Sequence, residues 1–355
     1  MLWNSSCTVS KYVNFLWPVV LVAFFLRGFS SFGTSMNINP LIRFTAAYLA
    51  VIPTANLVGF AGQELARKMS KVKGILVEVA LGGVVEVVLF VVLVVKHESS
   101  SSNKKGEEKK NGNHGDGDGE EGNDLIPIIQ AAILGSILTN LLLCLGLVFF
   151  FGGLRRTRQT FHAVVSEVGT GLLLVAAFGL LIPSAFYSAL KGETSSSSRL
   201  PGMGMVMAKH ENFTREKLQG DILHISHATS VALIAAFGFY IWFQARSQHS
   251  IFDEVIEMDE HRDADRQADL QKPKFTMTET LVALVVSLTL VTLLLIFLVE
   301  GIEHVVQAGV PDQFLGLILL PLVEKAAEHL TAIDEAWGMF VSLSLSLLRL
   351  VLFSF

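Results

Sequence analysis

Glutamates set within long, largely apolar runs of sequence are the residues best placed to do chemistry. Glu78 and Glu86 lie in GILVEVALGGVVEVVLF; Glu324 and Glu328 lie in GLILLPLVEKAAEHLTAIDEAW, beside Lys325 and His329. An ionised carboxylate at mid-membrane costs at least about 2.5–3.5 kcal/mol, so one retained there is a candidate site. On a continuous helix the step from Glu78 to Glu86 is about 800° of rotation, which sets the two within roughly 80° of each other on a glycine-notched face. Carboxylates that release protons as a hard cation enters suit cation–proton exchange. The alternatives are that each carboxylate snorkels, pairs with Lys325 or Arg349, or stays protonated. His329 offers an imidazole that titrates near neutral pH for proton coupling, or a hydrogen-bonded polar group on the helix face.

Such residues need membrane helices to hold them. The 355-residue chain is 51% hydrophobic and 17% charged, against about 25% charged in a soluble domain, so lipid is its main solvent. About nine apolar runs have the length of a bilayer crossing; they lie near 13–29, 41–65, 74–96, 126–151, 161–190, 222–245, 276–300, 312–336 and 338–355. The expected fold is an all-α polytopic membrane protein. Pro53, Gly74, Gly82, Gly83, Gly135, Gly171, Pro183 and Pro321 interrupt the runs, as cavity-lining helices permit and as glycine packing also produces. The run from Phe15 to Leu26 ends at Arg27 with no small-residue cleavage site, and reads as a first span rather than a leader.

Arg67, Lys68, Lys71 and Lys73 form one basic loop and Arg155, Arg156 and Arg158 another; the positive-inside tendency puts both in the cytosol. Alternation then places the N-terminus and 246–275 in the cytosol, with 97–125, 191–221, 301–311 and Phe355 on the lumenal side. Segment 97–125 is charged, low in complexity and too polar to fold, which predicts a disordered loop. Asn212-Phe213-Thr214 matches a glycosylation acceptor within the lumenal segments. Cys7 and Cys144 read as unpaired thiols. The net charge of -5 is unevenly spread and uninformative about partners; membrane lipid and the transported ions are the partners expected, with no nucleic acid. His162, His224, His227, His304 and His329 are scattered and form no H-E-x-x-H pair, which leaves an intramembrane metalloenzyme without a motif.

Several stretches resemble the cation/proton exchangers, the Ca2+/H+ antiporters of fungal and plant vacuoles. Gly82-Gly83-Val84-Val85-Glu86 is similar to the family's first-repeat signature, with Gly83 in place of asparagine. The stretch Gln130 to Leu143, with Phe151-Gly152-Gly153-Leu154-Arg155-Arg156, resembles the next helix and is the most specific match. Phe314 to Pro321 and Ala326-Ala327-Glu328-His329-Leu330-Thr331-Ala332 resemble the second repeat, with Glu324-Lys325 where the family has glycine-asparagine. Asp253, Glu254, Glu257, Asp259, Glu260, Asp263 and Asp265 resemble the family's cytosolic acidic helix, although alone such a run is usually a solvated face.

The resemblance implies an inverted-repeat transporter in which Glu86 and Glu328, one per repeat, bind Ca2+ and protons alternately at the midplane, with Gln130, Ser136 and Asn140 as neutral donors. It implies no cofactor beyond the transported Ca2+, or other cation, and H+. The divisions expected are 1–40 with the first helix, a first repeat over 41–245, the acidic linker 246–275, and a partial second repeat over 276–355. Three departures qualify this. Gly83 and Lys325 remove an amide from each signature, and Lys325 adds a cation one turn from Glu328. Glu78 adds a carboxylate where an asparagine is expected, which can move selectivity toward another cation. The last apolar run carries Arg349 and ends short of the usual helices. The expected function is secondary transport, Ca2+ for H+, across a vacuolar or other endomembrane. The alternative is a transport-deficient paralogue that binds a full-length exchanger as a homo- or hetero-oligomer.

Overall fold

The computed structural model describes residues 13–31, 39–69, 71–108, 125–155, 163–196, 215–246 and 275–338, and all regular structure among them is helical. Six of the helices are long and apolar enough to cross a membrane, joined by a shorter apolar helix over Asn14–Gly28. The ninth apolar run, 338–355, lies outside the described residues apart from its first, as do the glycosylation motif and the acidic linker residues Asp253, Glu254, Glu257, Asp259 and Glu260.

The chain divides into two compact units. The smaller holds α7 (Ala163–Ser196) and α8 (Arg215–Arg246), packed on one another, with Gly179 against Leu233. Their apolar side chains, among them Phe178, Leu181, Ile234 and Phe239, are exposed, as lipid-facing surfaces are. Both helices fall within 41–245, the stretch expected as the first repeat.

The larger unit is built on α2 (Pro40–Ala66) and α9 (Met277–Gln307), the most extensively packed pair. The buried residues of α2 include Phe44, Ala47, Val51, Thr54, Val58 and Ala61; those of α9 include Thr280, Leu284, Ser287, Val291, Leu294 and Leu298. Alternating steps of three and four residues make a coiled-coil-like seam, and the small residues of α2 let the backbones approach closely. The helices are antiparallel, since Lys68 Nζ donates to Thr280 Oγ1 (2.8 Å) at one end and Phe44 meets Gly301 at the other. A capping box of Thr276 and Glu279 opens α9. A Schellman turn closes it: Val310 N–H donates to Val305 O, Gly309 N–H donates to Val306 O, and Gly309 takes φ 98°.

Around this pair stand α1 (Trp17–Ser31), α3 (Lys71–Gly82) and α4 (Val84–Glu108). Arg27 forks onto Glu300 (2.6 and 3.0 Å) and Lys96 pairs with Glu303 (3.8 Å), so 97 onward and 301–311 share an end opposite the basic 67–73 loop. That is the arrangement expected from charge. Helix α4 runs on to Glu108, into the segment read from composition as a disordered loop; extending an existing helix adds one hydrogen bond per residue fixed, so polar residues can follow a packed nucleus.

Candidate cation site between two broken helices

Two helices are interrupted near the glutamates. The first breaks at Gly83, between α3 and α4; the second, descending from the Lys96 end through α10 (Asp312–Phe314) and a π-helical segment (Leu315–Leu319), breaks at Lys325 between α11 (Leu320–Glu324) and α12 (Ala326–Gly338). Both break residues, Gly83 and Lys325, are among the positions that depart from the signatures described above. Glu86 and Glu328 fall at matching places, each in the first turn of the helix that follows its break, where the helix dipole favours a carboxylate. Helix α4 runs toward the Lys96 end and α12 away from it, as inverted repeats require. The break also corrects the relation drawn between Glu78 and Glu86: Glu78 lies in α3, so rotation along one continuous helix does not connect them.

The glycine-marked helix, α5 (Ile126–Leu138), continues through a π-helical segment (Thr139–Cys144) into α6 (Leu145–Arg155). It crosses the second broken helix backbone to backbone. A Cβ on Gly135 would fall 2.3 Å from Leu317 O, and one on Gly316 would fall 2.7 Å from Ile128 O, so only glycine allows the crossing. Alanines 332 and 336 of α12 pack with Cys144 and Val148 below it.

This crossing brings Ser136 to Glu86, with Ser136 Oγ donating to Glu86 Oε1 (2.5 Å). Lys325 Nζ stands 2.8 Å from Glu86 Oε2 and 3.8 Å from Glu328 Oε2, with its side chain 1% exposed. One ammonium therefore joins the two repeats at the point where their carboxylates converge. Asn140, Glu324 and His329 are buried in the same unit. Among the described residues, both side-chain polar atoms of Asn140, Glu324 Oε2 and His329 Nε2 make no hydrogen bond. Gln130 is exposed on α5, about 9 Å along the axis from Ser136, and stands apart from the cluster. Tyr48 of α2 donates to Leu319 O (2.9 Å), taking up a carbonyl beside the second π segment; nothing in its sequence neighbourhood marked it.

The oxygens of Glu86, Glu328, Ser136 and Asn140 are hard donors of the type Ca2+ takes. Among the described residues, no group of three or more His, Cys, Asp or Glu side chains is arranged to hold a metal ion. Cys144 is a buried free thiol, as expected.

The fold is that of a multi-pass helical membrane protein. Over 96% of this chain and 78% of the other, it superposes on the structure of native YfkE with a TM-score of 0.59 at 21% identity. The selenium-substituted Ca2+/H+ antiporter protein YfkE gives a TM-score of 0.56 at 21% identity, over 96% of this chain and 79% of that one. No protein-family model matches the chain. In sequence it is 24% identical to a vacuolar calcium ion transporter of Cryptococcus neoformans, over 93% of this chain and 61% of that protein. It is 28% identical to vacuolar cation/proton exchanger 2 of Arabidopsis thaliana, over 85% of this chain and 58% of that protein. A Ca2+/H+ antiporter of Aphanothece halophytica is 28% identical, over 85% of this chain and 69% of its own length. The chain is similar in sequence to cation/proton exchangers, and it spans about three-fifths of the length of the first two of these relatives.

Proposed function

We propose that this chain exchanges a cation, Ca2+ foremost, for protons across an acidic endomembrane such as that of the vacuole. The observation that carries the proposal is the convergence of Glu86 and Glu328, each in the first turn after a helix break, on one buried cationic position. Carboxylates held this way release protons as a cation enters and take them back as it leaves. Breaks at mid-span give each glutamate a helix terminus and freed backbone groups without lipid exposure. Ser136 and Asn140 supply neutral oxygens, and His329 keeps a buried Nε2 next to Glu328 in the chain. The names of the relatives agree with this cargo and membrane.

The test is ⁴⁵Ca²⁺ uptake into proteoliposomes driven by an inward-acid proton gradient. Glu86→Gln and Glu328→Gln are each expected to abolish it. Uptake that persists at the wild-type rate in both variants would sink the assignment.

A further inference from the structure

We infer that Lys325 is a tethered counter-cation with two stations, and that Glu324 is the station it takes when a transported cation occupies Glu86 and Glu328. The inference rests on the exchange reading for the identity of that cation.

Lys325 Nζ lies 2.8 Å from Glu86 and 3.8 Å from Glu328. A Ca2+ held by the same oxygens at about 2.3–2.6 Å cannot share that point with an ammonium. Binding therefore requires the ammonium to leave. Lys325 is 1% exposed, so its ammonium is held out of bulk water here, and a buried charge stripped of its partner is strongly destabilising. The displaced ammonium needs a second buried acceptor.

Glu324 is that acceptor. Its side chain is 4% exposed, and its Oε2 makes no hydrogen bond among the described residues. It ends α11 directly beside Lys325 in the chain. Lys325 itself sits in the helix break, at φ −94° and ψ −1°, flanked by α11 and α12. Its flexible four-carbon stem can swing between carboxylates without unwinding either helix. The substitution pattern fits the same logic. Glutamate and lysine stand together where the family resemblance gives glycine and asparagine, so the added charges cancel and the pair of glutamates keeps its net charge for the cargo.

The test follows the Ca2+-dependent rise in Tm of the purified full chain as Ca2+ is titrated, in wild type, Glu324→Gln, Lys325→Asn and the double variant. Glu324→Gln is expected to raise the half-saturating Ca2+ concentration about tenfold, within the coupling seen between contacting residues, because the ammonium loses its second station. Lys325→Asn is expected to lower it. In the Lys325→Asn background Glu324→Gln should then change it by less than about twofold. Equal weakening in both backgrounds would make Glu324 a direct ligand and overturn the inference, as would no effect of Glu324→Gln on wild type. Lys325→Met, of similar length and uncharged, replaces the asparagine variant if that one does not fold. Failure of the exchange reading shows separately, as an absence of proton-driven ⁴⁵Ca²⁺ uptake by wild type whose Tm still responds to Ca2+.

Discussion

At the scale of single residues, Lys325 governs the site. Its position one turn from Glu328 was legible in the sequence, and the 3.8 Å pair bears that out. Its shorter contact, to Glu86 at 2.8 Å, was not legible, because no local period relates residues so far apart in the chain. Removing one partner of a buried ion pair costs about 3–5 kcal/mol. Glu86 is 19% exposed at its side chain, so Glu86→Gln is expected near the lower end, about 3 kcal/mol. The measurement is the Tm in the absence of Ca2+, and pairing Glu86→Gln with Lys325→Met should recover most of the loss. A Tm unchanged by Glu86→Gln would show that the ammonium does not depend on that carboxylate.

At the scale of elements, the two broken helices and the glycine crossing set where the carboxylates go. The spans of α2 and α9 were legible as apolar runs, but their packing as the central pair emerged from the structure. The breaks were foreseen only as glycine and proline interruptions; that they fall on Gly83 and Lys325 emerged from the structure. A methyl group on Gly135 would strike a backbone carbonyl that cannot rotate away. Gly135→Ala is expected to cost about 1–3 kcal/mol by overpacking and to lower Ca2+ uptake together with Tm. At the end of α9, Gly309→Ala forces an L-residue into a left-handed conformation. Its expected cost is about 1–2 kcal/mol, read from the Tm with transport per folded molecule unchanged.

At the scale of the whole molecule, charge placement organises the ends of the larger unit. Lys68 joins Thr280 at one end, while Arg27–Glu300 and Lys96–Glu303 close the other around a cavity of about 310 Å3 that His304 also lines. The Arg27–Glu300 pair is substantially exposed, at 44% and 35%. Arg27→Gln is therefore expected to cost less than about 1 kcal/mol, despite the good geometry. Orientation has its own test. Single cysteines at Met69 and at Met277 should react with an impermeant thiol reagent from the same side of sealed vesicles, and one at Val310 from the opposite side. Labelling of the Met69 and Val310 positions from one side would overturn the alternation read from the basic loops.

The sequence by itself determined that this is a helical membrane protein with carboxylates in its spans, because hydropathy is a local and additive property and a buried charge is conspicuous against it. It also marked Gly83 and Lys325 as departures from the exchanger signatures, and Gly135 as an interruption of its span. Tertiary structure alone decided what those residues do. Gly135 and Gly316 bring two helices to backbone contact, the breaks turn Glu86 and Glu328 toward one another from opposite directions, and an ammonium occupies the point where they meet. Ion pairing depends on angstrom-scale approach between segments remote in the chain, and only the packed fold fixes that approach.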